Sequence, residues 1–111
     1  LRNELGAATQ RAEKAYYDYP QIVLDAFREV ENALGSELAL SSQEKATESA
    51  LDAARIAERG TLLDYEAGLV EILTLLEAQR RRFSTEEALI QVKVLRRQNR
   101  ISLALALAKA V

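Results

Sequence analysis

The chain has 111 residues, 15 basic and 17 acidic side chains for a formal net charge of −2, and no Cys, His or Met. Those absences exclude thiol nucleophiles, zinc fingers and imidazole acid–base chemistry, and the balanced charge argues against a polyelectrolyte partner. One Pro and four Gly leave too little turn chemistry for an all-β or α/β design, whereas abundant Ala, Leu, Glu, Arg and Gln suit long helices.

A translated chain begins with Met, and this one begins Leu1-Arg2-Asn3, so a processed piece or internal segment is expected. Neither a signal peptide nor an unbroken apolar run of membrane-spanning length is visible, which predicts a soluble segment.

Residues 2–17 are good helix formers, with small or apolar side chains at Leu5, Ala8, Ala12, Ala15 and Tyr16. Tyr19-Pro20 then interrupts, because Pro lacks a backbone donor and disfavours α geometry in the residue before it. The first arm is therefore expected to kink or to break there, a restart using Asp18 or Tyr19 as cap and Pro20 in the first turn. Tyr16, Tyr17 and Tyr19 are expected to pack near that kink. From Ile22 the helical period is clear: Val23, Phe27, Val30, Leu34 and Leu38 form one stripe. Beyond Gly35 the pattern thins to Ala39, Ala46, Ala50, Ala53, Ala54 and Ala57, a face that lets helix backbones approach closely. Glu48, Asp52, Arg55 and Arg59 offer opposite charges at helical spacing, worth about 0.3 kcal/mol per pair.

Gly60 is read as tolerated inside the helix, and Gly68 as the left-handed residue that ends it. From Glu71 to Ala108 there is neither Gly nor Pro, and Ile72, Leu76, Phe83, Ile90, Val94, Ile101 and Leu105 recur as a heptad-like seam. The prediction is an all-α fold: a long antiparallel helical hairpin, coiled-coil-like, with arm 1 about 2–66, turn 67–70 and arm 2 about 71–108. A three-helix bundle, with residues 2–17 folded back, is the structural alternative. The apolar end Ile101–Val111 is too short to cross a bilayer.

Tyr65-Glu66-Ala67-Gly68, then Ile72-Leu73-Thr74-Leu75-Leu76-Glu77-Ala78-Gln79 and Phe83, resemble the C-terminal repeat of the TolC-family outer-membrane efflux proteins. Asp25–Leu34 (DAFREVENAL) resembles that family's segment further up the same helix, so the likeness covers nearly the whole chain. It implies a hairpin from the periplasmic α-barrel of an efflux channel in the outer membrane. Gly68 would then lie in the tip loop, with Gly68, Leu69 and Glu71 contacting a periplasmic adaptor protein. Tyr65 would help hold the end closed, and Glu77 would narrow the pore. Thr74 stands where some relatives place a second aspartate, so a two-ring acidic gate would lose one charge. The parent would be a trimer joined through its adaptor to an inner-membrane transporter and passing exported small molecules. The Leu107–Val111 end departs from the Leu-Gly-Gly-Gly ending of many relatives.

Read without that resemblance, Glu77 is an exposed carboxylate paired with Arg80 or Arg81, and the chain a generic soluble coiled-coil interaction module. Arg80-Arg81-Arg82 and Arg96-Arg97-Arg100 are read as solvated faces and interhelical ion pairs and not as a nucleic-acid surface, since the consecutive arginines of the first cluster point about 100° apart and form no single face. No catalytic constellation, cofactor site or metal site is expected.

Overall fold

The structure, a computed structural model, describes the backbone of residues 2–111 and the side chains of residues 20–111. The packing expected of Tyr16, Tyr17 and Tyr19, and of the stripe from Leu5 to Ala15, lies outside the described residues. Two helices make up the fold: α1, Arg2–Glu66, and α2, Ile72–Ala110. Among the described residues there is no strand, and no helix is long and apolar enough to cross a membrane.

α1 contains Pro20 within it, so the alternative of a break and restart is not what occurs. The ring costs the helix one backbone hydrogen bond, and the helix continues on both sides. That continuity also removes the three-helix bundle. Gly60 lies inside α1 with open space around its Cα.

α1 ends as the sequence predicts. Gly68 has φ +74°, the left-handed region that a Cβ makes costly. Leu69 N donates to Asp64 O at 2.8 Å and Gly68 N to Tyr65 O at 3.0 Å, the paired bonds of a Schellman motif. Glu71 then caps α2, its carbonyl accepting from Thr74 N at 3.0 Å.

The chain divides into two compact units, Glu37–Gln98 and Leu1–Ser36 with Asn99–Val111. In the first, α1 and α2 run antiparallel from the turn. Glu37, Leu40, Glu44, Thr47, Leu51, Ala54, Glu58 and Thr61 are buried or half-buried at alternating three- and four-residue steps. Leu75, Ala78, Arg82, Thr85, Leu89, Val92 and Arg96 answer them on α2. In the second unit, Ala26 and Ala33 are buried on α1 and Ala106 on α2. There the Asn99 side-chain amide donates to Ala33 O at 2.8 Å, and Lys109 Nζ lies 3.5 Å from Glu29 Oε2.

The heptad period is as expected, but its phase is not. Ile72, Leu76, Phe83, Ile90, Ile101 and Leu105 are each at least half exposed, and Phe27 and Leu38 on α1 likewise. The real seam runs about one residue away, where leucines alternate with small and charged side chains. Large residues at every position would hold the helices apart, whereas the intervening Ala and Thr let them close. Charge adds to what this limited apolar area supplies. From Pro20 to Glu66 the sequence has ten acidic and four basic residues, and Ile72–Ala110 has three and eight, so the arms attract each other.

Arg96 sits in the seam with Nε 2.7 Å from Glu37 Oε1 and Nη1 2.6 Å from Glu44 Oε2. Arg82 does the same nearer the turn, with Nε on Glu58 and Nη1 3.1 Å from Glu86 Oε1, while Arg55 reaches Glu86 at 3.6 Å. The Glu58 hydrogen bond holds Arg82 above the ordinary arginine value, and the Glu37 and then Glu44 hydrogen bonds do so for Arg96. Because the folded value is raised, this contribution is complete below the unfolded arginine pKa and is lost only as pH rises through the folded one.

Gly68→Ala should lower the stability of the hairpin by about 1 kcal/mol, and Gly60→Ala should raise it by about 1 kcal/mol; helical circular dichroism against urea reads both. Arg96→Ala should lower the midpoint, and raising salt from about 0.05 M to about 1 M should narrow its difference from wild type. The same difference should stay flat between about pH 6 and about pH 10, since the arginine does not change charge there.

Candidate functional site

The residues one position before each seam residue lie on one side of an antiparallel pair, because a rotation of about −100° carries both arms the same way. In the unit Glu37–Gln98 that side consists of Ala39, Gln43, Ala46, Ala50, Ala53, Ala57 and Gly60 on α1. On α2 it consists of Thr74, Glu77, Arg81, Ser84, Ala88, Gln91, Leu95 and Gln98. All are exposed. The face is smooth, mostly small and uncharged except for Glu77 and Arg81. The opposite side carries Lys45, Glu48, Asp52, Arg55, Arg59, Lys93 and Arg97, with Phe83 and Ile90 among them. An isolated two-helix rod in water has no reason to sort charge and bulk onto one side in this way.

The residues singled out from the sequence fall at one end. Tyr65 is 40% exposed in the last turn of α1, and its carbonyl is tied to Gly68 N. Leu69 stands out from the turn at 73% exposure. Glu71 is exposed and linked by its backbone to Thr74. Thr74 and Glu77 share the smooth face, one helical turn apart, but Tyr65 belongs to the other arm and Glu77 touches neither it nor the turn through any hydrogen bond or ion pair.

Glu77 pairs with neither Arg80 nor Arg81, so the ion pairs expected of a solvated carboxylate at that spacing are not formed. A concavity of about 360 Å³ lies against it, lined by Glu77, Arg80, Arg81, Ser84 and Thr85. Thr85 donates its hydroxyl proton to Arg81 O at 2.8 Å. Among the described residues no cluster of acidic side chains has the arrangement to hold a metal ion.

The tip breaks a local rule. A helix C-terminus favours cations, yet α1 has no basic residue in its last turn and carries Asp64 and Glu66 there. Around these carboxylates Leu63, Leu69, Leu73 and Leu76 are all more than half exposed. Interhelical ion pairs are expected of both arginine clusters, but which arginine of each faces the other arm is not legible from the clusters alone; Arg82 and Arg96 form them. Their signal is periodic, since Leu75, Arg82, Leu89, Arg96 and Leu103 recur every seven residues opposite Glu37, Glu44, Leu51 and Glu58.

The chain is a helical hairpin with a glycine-capped turn and one smooth face. The family of outer membrane efflux proteins matches residues 1–109, and the chain belongs to it. The chain is 32% identical over 103 residues to the cation efflux system protein CusC of Escherichia coli strain K12, 93% of this chain and 22% of that protein. It is 31% identical over 107 residues to the pyoverdine export outer membrane protein OpmQ of Pseudomonas aeruginosa, 96% of this chain and 23% of that protein. To the probable outer membrane lipoprotein SilC of Salmonella typhimurium it is 28% identical over 103 residues, again 93% and 22%. The chain thus spans less than a quarter of the length of these relatives. No solved structure matches it. It is a helical segment of an outer-membrane efflux protein, from the periplasmic portion.

Single charges added to the smooth face should be neutral for folding. Ala50→Glu and Ala53→Lys should change hairpin stability by no more than about 0.5 kcal/mol, as read by denaturant midpoint, because neither side chain is buried.

Proposed function

We propose that this hairpin forms part of the wall of a solute-export duct, its smooth face turned to the water-filled bore and its tip docked on a periplasmic adaptor. The single observation that supports this most is the sidedness of the unit Glu37–Gln98, where one face carries no charge besides Glu77 and Arg81. A bore lined with Ala, Gln, Ser and Thr offers moving solutes neither a deep apolar trap nor a strong charge. The exposed apolar residues on other sides, Phe83, Ile90 and Leu38 among them, are then covered by neighbouring helices of the wall. Three copies of the whole protein arranged around an axis would complete it.

In this reading Glu77 is the pore constriction. Copies of an unpaired carboxylate converging on one axis repel each other and attract cations, so the ring binds cations and resists tight closure. Thr74 adds a polar but uncharged ring one turn nearer the tip. Tyr65 lies at the end of the opposite arm, where it would lean on a neighbour to hold the end shut. Opening is a splaying of the tip helices that withdraws both from the axis.

The tip supports the docking half of the proposal. Asp64, Glu66 and Glu71 crowd acidic charge around exposed Leu69, and Gly68 sets the turn's shape. The fitting partner surface is basic with an apolar pocket, the pattern expected of the adaptor that links the channel to its inner-membrane transporter. The exported solute class follows less directly. CusC is by name a cation efflux protein and OpmQ a pyoverdine exporter. This chain lacks Cys, His and Met, so it offers no soft ligand to a transition metal. Any cation would pass Glu77 as an electrostatic guest.

The test uses the complete channel protein in planar bilayers. Glu77→Lys should abolish block by multivalent cations and change conductance at least about 2-fold, since a ring of added charge acts on every permeating ion. A cysteine introduced at Ala53 should let a bulky water-soluble thiol reagent reduce conductance relative to the same channel without it. Unchanged conductance and unchanged cation block in the lysine variant would remove the pore assignment. At the tip, Asp64→Lys with Glu66→Lys should raise the hairpin's unfolding midpoint by favouring the helix end while weakening adaptor binding about 10-fold or more. Tight adaptor binding by that variant would refute the docking surface.

A further inference from the structure

We infer that the groove at Arg80, Arg81, Ser84 and Thr85, which Glu77 also lines at one end, is an anion-binding site for carboxylate- or phosphate-bearing solutes. The inference rests on the pore reading of the smooth face and deepens it by naming what the duct's second charge recognises.

Three observations converge on this groove. Arg80 and Arg81 make no ion pair or hydrogen bond through their side chains, although Glu77 stands at the right spacing for either. The arginines that serve the fold behave differently, since Arg55, Arg82 and Arg96 each hold a glutamate. Second, the two free guanidinium groups line one concavity of about 360 Å³ with two hydroxyl side chains and the single carboxylate of Glu77. Thr85 has committed its proton to Arg81 O, which leaves the Ser84 hydroxyl as a donor. Third, Arg81 is the only basic residue on the smooth face of its unit. No other base competes there for an anion, and Glu77 is the only acid that could satisfy it.

Guanidinium groups present planar, paired donors that match a carboxylate or phosphate in bidentate fashion, and a neighbouring hydroxyl adds a third donor. Two such groups against one carboxylate leave the groove net positive. A permeating anion therefore finds a site beside the glutamate ring, and a solute carrying both charges can touch both. On this account the constriction is bipolar, selecting by charge arrangement and not simply admitting cations.

The measurement compares the wild-type channel with Arg80→Gln/Arg81→Gln and with Glu77→Gln in planar bilayers, using a KCl gradient for selectivity and citrate and inorganic pyrophosphate as blockers. Wild type should be blocked by both anions. The double arginine variant should need at least about 5-fold more of either for half block and should shift its reversal potential toward cation preference, while keeping its block by multivalent cations. Glu77→Gln should lose cation block and retain anion block. Equal anion block and an unchanged reversal potential in the arginine variant would overturn the site and leave Arg80 and Arg81 as solvated side chains, with the pore reading intact if Glu77→Gln still abolishes cation block. Loss of anion block without any effect of Glu77→Gln would keep the anion site and strike down the glutamate ring instead.

Discussion

The antiparallel fit depends on two arginines placed where a coiled coil would ordinarily put leucine. Arg82 and Arg96 share a heptad position of α2 with Leu75, Leu89 and Leu103; Arg96 meets Glu37 and Glu44 of α1 and Arg82 meets Glu58, all of one seven-residue series. Between them the seam alternates Leu with Ala and Thr, whose small volumes let the arms close enough for the guanidinium groups to span the gap. An arm of net negative charge facing one of net positive charge favours the observed register, since a slip by one heptad would exchange one of Arg96's glutamates for Leu51. The charge pairs thus specify alignment more than they add stability, the role for which semi-buried ion pairs are best attested.

Using charge inside releases bulk to the outside. Phe27, Leu34, Leu38, Phe83, Ile90 and Ile101 remain about half exposed or more, and each would ordinarily be buried. Burying a leucine is worth about 1.5–3 kcal/mol, so these side chains leave apolar free energy ungained in the lone hairpin. A hairpin with this distribution is an incomplete object. On the proposed reading that incompleteness has a sense, because a wall made of many helices would need elements that are sticky along their flanks and bland toward the bore.

The sequence is legible where one residue carries one physical consequence. Gly68 is recognisable because a left-handed backbone has few alternatives, and the end of α1 and the start of α2 follow from it. The continuity of α1 through Gly60 is equally clear, but not through Pro20, where propensity argues for a break and the long helix prevails. Phase is the harder matter. Reading Ile72, Leu76, Phe83 and Ile90 as the seam assumes that large apolar residues mark the nearest partner, an assumption that holds for a self-sufficient coiled coil. Here the nearest partner is met through alternating Leu, Ala, Glu and Arg, and many of the large residues are left exposed. The glutamate at position 77 is found through resemblance; its lack of an ion pair, and its isolation with Arg81 on an uncharged face, depend on the angle of the helix about its own axis.

These features divide the hairpin along its length. In the unit Glu37–Gln98 the cross-arm ion pairs lie between Glu37 and Glu58 on α1 and between Arg82 and Arg96 on α2, and among the described residues none is nearer the turn than Arg82 with Glu58. Toward the tip the arms are held by Thr61, Leu75 and Ala78, little side chain for a span that also carries unfavourable acidic charge at the end of α1. On the proposed reading, that division is what a gate requires. On that reading the clamped stretch would keep the wall in register while the tip, with less side chain buried between the arms, would splay. Breaking the Arg82 cluster would be needed only if the proposed motion extended into the wall, so on that reading the cluster would mark its boundary.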